Sequence, residues 1–299
     1  MAEERTIDAA APTGAQSIER AFSVLRVVAA HRDKGARLTD IVAAIGVSKP
    51  TVRRILAAMM RERAIEQDPV SRLYFLGQEM YVFGTVAADR YGIHKIAVPS
   101  LVRLAQISED TVFLSVPIGA ESVCLHCEEG AFPIRSHALS VGRRHPLGVG
   151  AGSLALLSAM PDHEVDRIIA TNAKVCADKY AIFTPKLLRE LVGRTRQIGY
   201  ALIEALVVPG SYGIGVAVPD DRGRPLAALS IAAIASRMTP ERRQELVAAM
   251  YAERDRLRGA IARAQSLERH EPERRMVKGS ARALGANRAK AVGQGVRRA

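Results

Sequence analysis

The sequence predicts an α+β protein in two parts: a helical N-terminal part closed by a short hairpin, and a larger C-terminal part that mixes strands and helices. Two observations carry this. Apolar residues recur at spacings of three and four from residue 17 to about residue 63, the period of helices with one buried face. From Thr111 onward, alternating or continuous apolar runs broken by turn residues give two groups of strands with helices between them. The 299 residues leave room for both parts, since a domain takes roughly 100–200 residues. Apolar residues make up 48%, aromatics only 4%, and Trp is absent, so the cores are aliphatic.

The elements follow in chain order. Residues 1–16 are acidic, small and polar, a lead-in without a structural signal. Ser17 is placed to cap a first helix, with Ile18, Phe22, Leu25, Val28 and Ala29 as its apolar stripe. The polar stretch His31–Arg37, containing Gly35, ends it. Thr39 is placed to cap a short second helix, Asp40–Ile45, which Gly46 breaks. Ser48 caps a third, with Pro50 in the first turn where proline is tolerated, running to about Arg63. Ile65–Gln67 and Leu73–Leu76 flank a polar, Pro-containing turn and read as a hairpin. A helix from Gly77 to about Tyr91 has Met80, Phe83 and Ala87 along one edge, and another from His94 to about Ile107 turns Ile96, Leu101, Leu104 and Ala105 inward.

The C-terminal part opens with strands at Thr111–Ile118 and Ser122–Glu128. A turn at Gly148–Gly152 leads into an apolar helix, Ser153–Met160, and helices follow at Asp162–Thr171 and Thr184–Ile198. Strands are expected at Tyr200–Val208, Gly213–Pro219 and Leu226–Ile234, then a long helix from Thr239-Pro240 to about Ser266. Beyond Glu268 the chain is basic and without periodicity. The expected organisation is a lead-in at 1–16, a helical domain at 17–77, a linker helix at 78–93, a larger mixed domain at 94–267 and a basic, disordered tail at 268–299.

The net charge of +12 is unevenly spread. Residues 17–77 hold 11 Lys/Arg against 6 Asp/Glu, residues 78–267 hold 22 against 19, and the last 32 residues hold 9 against 3. Clustered positive charge suits a phosphate backbone or an anionic membrane surface. No apolar run reaches the ~18 residues of a membrane span. The N-terminus lacks the basic-then-apolar order of a signal peptide, and three Cys make no disulfide framework. The expected compartment is the reducing cytoplasm, with the nucleoid.

The segment Leu38–Leu56 carries the functional signal. A helix-turn-helix needs a short helix, a tight turn with Gly, and a second helix crossing the first. Gly46 can take positive φ, while Ile41, Ile45, Val47, Val52, Ile55 and Leu56 can bury between the helices. Donor side chains then line the exposed start of the second helix, the end that reads base edges in a major groove. The candidate DNA contacts are Thr39, Ser48, Lys49, Thr51, Arg53 and Arg54, joined by Arg72 and Tyr74 from a hairpin wing. An ordinary three-helix unit with a solvated basic face is the plainer alternative.

Other constellations carry less. Gly148-Val-Gly-Ala-Gly152 at a helix start can cradle an anion on backbone N–H groups, or serve only as a tight turn. Cys124-Leu-His-Cys127 invites a metal, but a structural zinc needs four ligands; strand alternation places Cys124 and His126 on one side and Cys127 on the other. These read as ordinary strand residues, with no metal and no cofactor. No nucleophile or acid–base set emerges. Two readings stay beside a sequence-specific DNA-binding protein: a small-molecule-binding enzyme with a DNA-binding appendage, and a nonspecific architectural protein using its basic tail.

Four segments together resemble the IclR-type transcriptional regulators: Ser17–Leu25, the helix-turn-helix ending Gly-Val-Ser-Lys-Pro-Thr-Val-Arg-Arg-Ile-Leu56, His145–Leu157, and Pro209–Asp220 with Pro225–Ile231. The resemblance spans residues 17 to about 266. It implies a winged helix-turn-helix joined by a linker helix to a GAF/PAS-like antiparallel sheet flanked by helices. It also implies a homodimer, often paired into a tetramer, binding double-stranded operator DNA and responding to a small organic acid. Gly150 and Ala151, with Gly152 beside them, would offer backbone N–H groups to that effector, and Gly213 and Ser230 would lie on facing strands. Apart from the resemblance, Glu204 is a candidate for the pocket, with a rim carboxylate as the equal alternative. The chain departs from the usual pattern at Val42, usually Ala, at Ser153, often Lys, at Gly213, often Cys, and at Ala232, often small and polar. The departure at Val42 implies a slightly shifted helix crossing, and those at Gly213 and Ala232 imply a roomier, less polar pocket.

Overall fold

The computed structural model describes residues 15–134 and 139–264. The residues 1–14, 135–138 and 265–299 lie outside that description, and with them most of the expected lead-in and the whole expected basic tail. Two compact units divide between Gly92 and Ile93.

The first unit holds α1 (Gln16–His31), α2 (Leu38–Ile45), α3 (Lys49–Arg61), the hairpin β1 (Ile65–Gln67) and β2 (Tyr74–Leu76), and α4 (Gln78–Tyr91). Its core is Val24, Val28, Ala36, Ile41, Val52, Leu56, Met59, Ile65 and Tyr74. The α1 stripe differs from the expected one. Val24 and Val28 turn inward, whereas Ile18 and Phe22 are 62% and 55% exposed. The N-cap of α2 also shifts. Arg37 holds that position and its N–H donates to the Asp40 carboxylate at 3.1 Å, which leaves Thr39 exposed on the first turn. Gly46 adopts φ +70° and ends α2 in the left-handed conformation that a side chain resists.

The second unit is a six-stranded antiparallel sheet in the order β5-β4-β3-β8-β7-β6. The strands are β3 (Thr111–Ile118), β4 (Glu121–Glu128), β5 (Arg144–Pro146), β6 (Ala201–Glu204), β7 (Ser211–Pro219) and β8 (Pro225–Ile234). The short β5 escapes periodicity because three residues carry too little pattern. Helices α5 (Ile93–Ser108) and α9 (residues 240–264) cover one face. Helices α6 (Ala151–Ser158), α7 (Asp162–Lys179) and α8 (Pro185–Ile198) cover the other. No described helix is long and apolar enough to cross a membrane.

The two-residue period of the strands divides the sheet chemically. Val112 and Leu114, Ile214, Val216 and Val218, and Ala227, Leu229 and Ile231 share the face under α5 and α9. Gly213, Gly215 and Ala217, with Ala228, Ser230 and Ala232 beside them in register, share the opposite face. That strip of small residues lets α6 lie close to the sheet. A Cβ on Gly215 would stand 2.5 Å from the carbonyl oxygen of Ala151.

One register slip changes how β4 is read. Leu114 pairs with His126 and Ser115 with Cys124, so Leu125 is an extra residue. This β-bulge puts Cys124 and Cys127 on one face with Phe113, and His126 on the other. The sequence expectation paired Cys124 with His126, because strict alternation cannot anticipate an inserted residue. Among the described residues no group of three or more His, Cys, Asp or Glu is arranged to hold a metal ion.

Candidate DNA interface and ligand cavity

In the first unit, α3 is built to show one face. Val52, Leu56 and Met59 are buried at helical spacing, against Ile41 of α2 and Val24 and Val28 of α1. Burial of that stripe turns Lys49, Arg53 and Arg54 outward, and all three are exposed. Their charge is presented to solvent, where an outside anion can reach it. Ser48 sits at the N-cap with its Oγ 2.9 Å from Thr51 Oγ1. Its hydroxyl therefore bonds Thr51 and does not cap a backbone N–H. The helix start combines two hydroxyls, three cations and unbonded first-turn amides at the positive end of the helix dipole.

The turn of the hairpin is tied by its own side chains. Asp68 accepts hydrogen bonds from the N–H groups of Val70 and Ser71 and from the Ser71 hydroxyl, and those bonds, led by the Ser71 N–H, hold its pKa below the usual carboxylate range. Val70 is 90% exposed at the tip. Arg72 is exposed at φ +59°, with its carbonyl bonded to Gln67 Nε2 at 2.8 Å. Tyr74 is a correction. Its side chain is 6% exposed within the unit's core and its backbone bridges Ala36. It shapes the root of the hairpin and has no surface to offer DNA, since alternation turned it inward once β2 paired with β1.

In the second unit, a cavity of about 40 Å³ lies between the sheet and the start of α6. Its walls include Gly150, Ala151, Gly213 and Ser230, four of the six predicted effector residues. Gly152 supports the wall from behind. A Cβ there would stand 2.9 Å from Ser230 Oγ. No side chain caps α6 and no acidic residue occupies its first turn. Glu204 is a correction. Strand alternation gives the cavity wall to Ile203, and Glu204 pairs instead with Arg194 at 3.3 Å and Arg243 at 3.7 Å. Helix α6 sits down on the small residues of the sheet, with the Ala151 side chain 3.1 Å from where a Cβ on Gly213 would stand. A larger hollow of about 630 Å³ lies elsewhere, lined by charged surface residues such as Asp220, Arg222, Arg254 and Arg258.

Sequence reasoning missed His145. It lies on β5 opposite Ser122, faces the cavity and is 3% exposed. Neither ring nitrogen has a hydrogen-bond partner. Burial, helped by the charge of Arg143, pushes its pKa down to about 4. Its position directly before the Pro-Leu of the α6 turn was the available signal. Spacing to other histidines, the criterion for metal sites, looks past it.

Comparison with known proteins gives this geometry a context. The IclR helix-turn-helix domain matches residues 17–69, and the bacterial transcriptional regulator IclR C-terminal domain matches residues 85–256. The regulator KipR of Bacillus subtilis is 27% identical over 205 residues, covering 69% of this chain and 81% of its own. The repressor AllR of Klebsiella pneumoniae is 28% identical over 233 residues, covering 78% and 85%. Among solved structures, an IclR transcriptional regulator from Alicyclobacillus acidocaldarius superposes with TM-score 0.67 at 23% identity, covering 82% of this chain and 98% of that one. An IclR homologue from Microbacterium hydrocarbonoxydans, solved with 4-hydroxybenzoate, superposes with TM-score 0.65 at 18% identity, covering 82% and 99%. With both domain models matched in chain order, the protein belongs to the IclR family of bacterial transcriptional regulators, with a helix-turn-helix DNA-binding domain followed by a ligand-binding domain.

Proposed function

We propose that the protein is a cytoplasmic, sequence-specific regulator that binds a pseudo-palindromic operator as a homodimer and is switched by a small organic acid. Lys49, Thr51, Arg53 and Arg54 contact phosphates and base edges, with Thr39 and Ser48 on the flanking backbone and Arg72 reaching from the wing. The acid occupies the cavity at Gly150–Ala151, where backbone N–H groups at a helix start favour negative charge. Binding there shifts the population between subunit arrangements that space the two recognition helices differently. The 4-hydroxybenzoate held by the Microbacterium homologue supports an acid as the class of effector.

The observation that carries the reading is the start of α3, three exposed cations beside two hydroxyls on a face that core packing fixes. Its test is binding to the DNA upstream of the protein's own gene, at about 0.15 M salt with excess competitor, where weak phosphate contacts are screened. Tight binding is expected. The Arg53→Ala/Arg54→Ala variant should bind at least about tenfold more weakly and show a shallower salt dependence. Binding that ignores the two arginines would place the recognition surface elsewhere.

A further inference from the structure

We propose that His145 is the specificity-determining residue of the α6 cavity, donating a ring N–H to one carboxylate oxygen of a short aliphatic monocarboxylic acid. This rests on the reading of that cavity as the effector site and assigns a role to a residue outside the predicted set.

A buried polar group without a partner loses its hydration and gains nothing for it. Both His145 nitrogens are in that position, while nearly every other buried polar side-chain atom among the described residues is satisfied. The ring packs on Tyr180, with centroids 5.5 Å apart, a contact that does not use its two nitrogens, and Phe113, Ile203, Val207 and Ala232 on the same cavity are apolar. The ring is also neutral at neutral pH. It therefore carries one N–H donor and one bare nitrogen. No acidic side chain lines the cavity to compete for that donor.

The ligand class follows from what else meets the cavity. The uncapped first turn of α6 begins at Ala151 on its wall, and Ser230 adds a hydroxyl from the sheet. Amides, a hydroxyl and an imidazole N–H are complementary to a carboxylate, and the remaining wall is largely apolar. Volume sets the size. A water needs roughly 10–15 Å³ by the same measure, so about 40 Å³ admits a ligand of a few heavy atoms. Acetate and propanoate meet that limit; an aromatic acid exceeds it.

Titration of the full-length protein with acetate, propanoate and lactate at pH 7, followed by calorimetry and by ring ¹⁵N spectra, tests this. Propanamide serves as the neutral isostere. The expected result is that at least one acid binds, propanamide binds more weakly, and the His145 ring signals move on binding. His145→Leu should weaken the acid at least about tenfold, the scale of one charge-assisted hydrogen bond. The same variant should melt no lower than the parent, because leucine removes the orphaned nitrogens. His145→Gln, which keeps a donor, should retain part of the affinity. If an acid binds while the ring signals stay still and His145→Leu binds equally well, His145 is a packing residue and only the present proposal falls. If none of the acids binds, the short-acid class is wrong for this cavity, whatever the DNA titration shows. The ring spectra of the unmodified protein decide the matter even if a variant fails to fold.

Discussion

His145 and Glu253 make the stability of this protein sensitive to acid in two separate ranges. His145 titrates near its ordinary value of 6.5 when unfolded and near 4 when folded. Its neutral, buried form contributes full stability above pH 6.5, and that contribution drains away as the pH falls toward 4, because the unfolded chain takes up the proton first. The loss is on the order of 3 kcal/mol. Glu253 is 1% exposed. Burial pushes its pKa up, but hydrogen bonds from Arg103, Ser100 and Arg256 outweigh that and hold it below its usual value. Its contribution is intact above its ordinary value of 4.5 and lost as the pH falls through its lower folded pKa. Thermal melts of the parent and His145→Leu between pH 7 and 4.5 should therefore diverge, the parent losing stability faster. Parallel curves would mean that His145 is not held neutral by burial.

At the scale of elements, the seat of α6 sets the wall of the cavity beside it. The helix rests on Gly213 and Gly215, and a Cβ at Gly215 meets the Ala151 carbonyl at 2.5 Å, a backbone atom that cannot step aside. Gly215→Ala should destabilise the protein by about 1–3 kcal/mol, as overpacking does. It should lower the melting temperature and disturb the Gly150–Ala151 wall, which loss of acid binding would reveal. An unchanged melt would show that α6 has more freedom than its contacts imply. The helices and most strands were legible because each carries a long periodic pattern. Tyr74, Glu204 and the β4 bulge were not. In a three- or four-residue strand, neighbouring side chains differ only by which face pairing selects, and an extra Leu125 reverses every assignment beyond it.

At the scale of the whole molecule, α4 leaves an apolar surface in the first unit. Tyr81, Phe83 and Val86 are 77%, 57% and 71% exposed, and Ile18 and Phe22 of α1 are exposed as well. Such a surface suits the proposed homodimer. Phe83→Asp/Val86→Asp should shift the protein toward monomer in sedimentation velocity and weaken operator binding, since a symmetric operator rewards paired recognition helices. A variant that sediments like the parent would remove α4 from the subunit contact.

Local spacing by itself determined the helix-turn-helix, the hairpin, the turn into α6 and the cationic start of α3, because each depends on residues within a few turns of one another. Four residues that line the α6 cavity, Gly150, Ala151, Gly213 and Ser230, were reached through resemblance to a family in the same way, by short motifs. Only the tertiary structure decided which side of each short strand is buried, how near α6 lies to the sheet, and that His145 and Ser230 line one small cavity. Those outcomes join residues up to 85 positions apart in sequence, the span from His145 to Ser230, and strand pairing and close packing couple them in ways that no local period records.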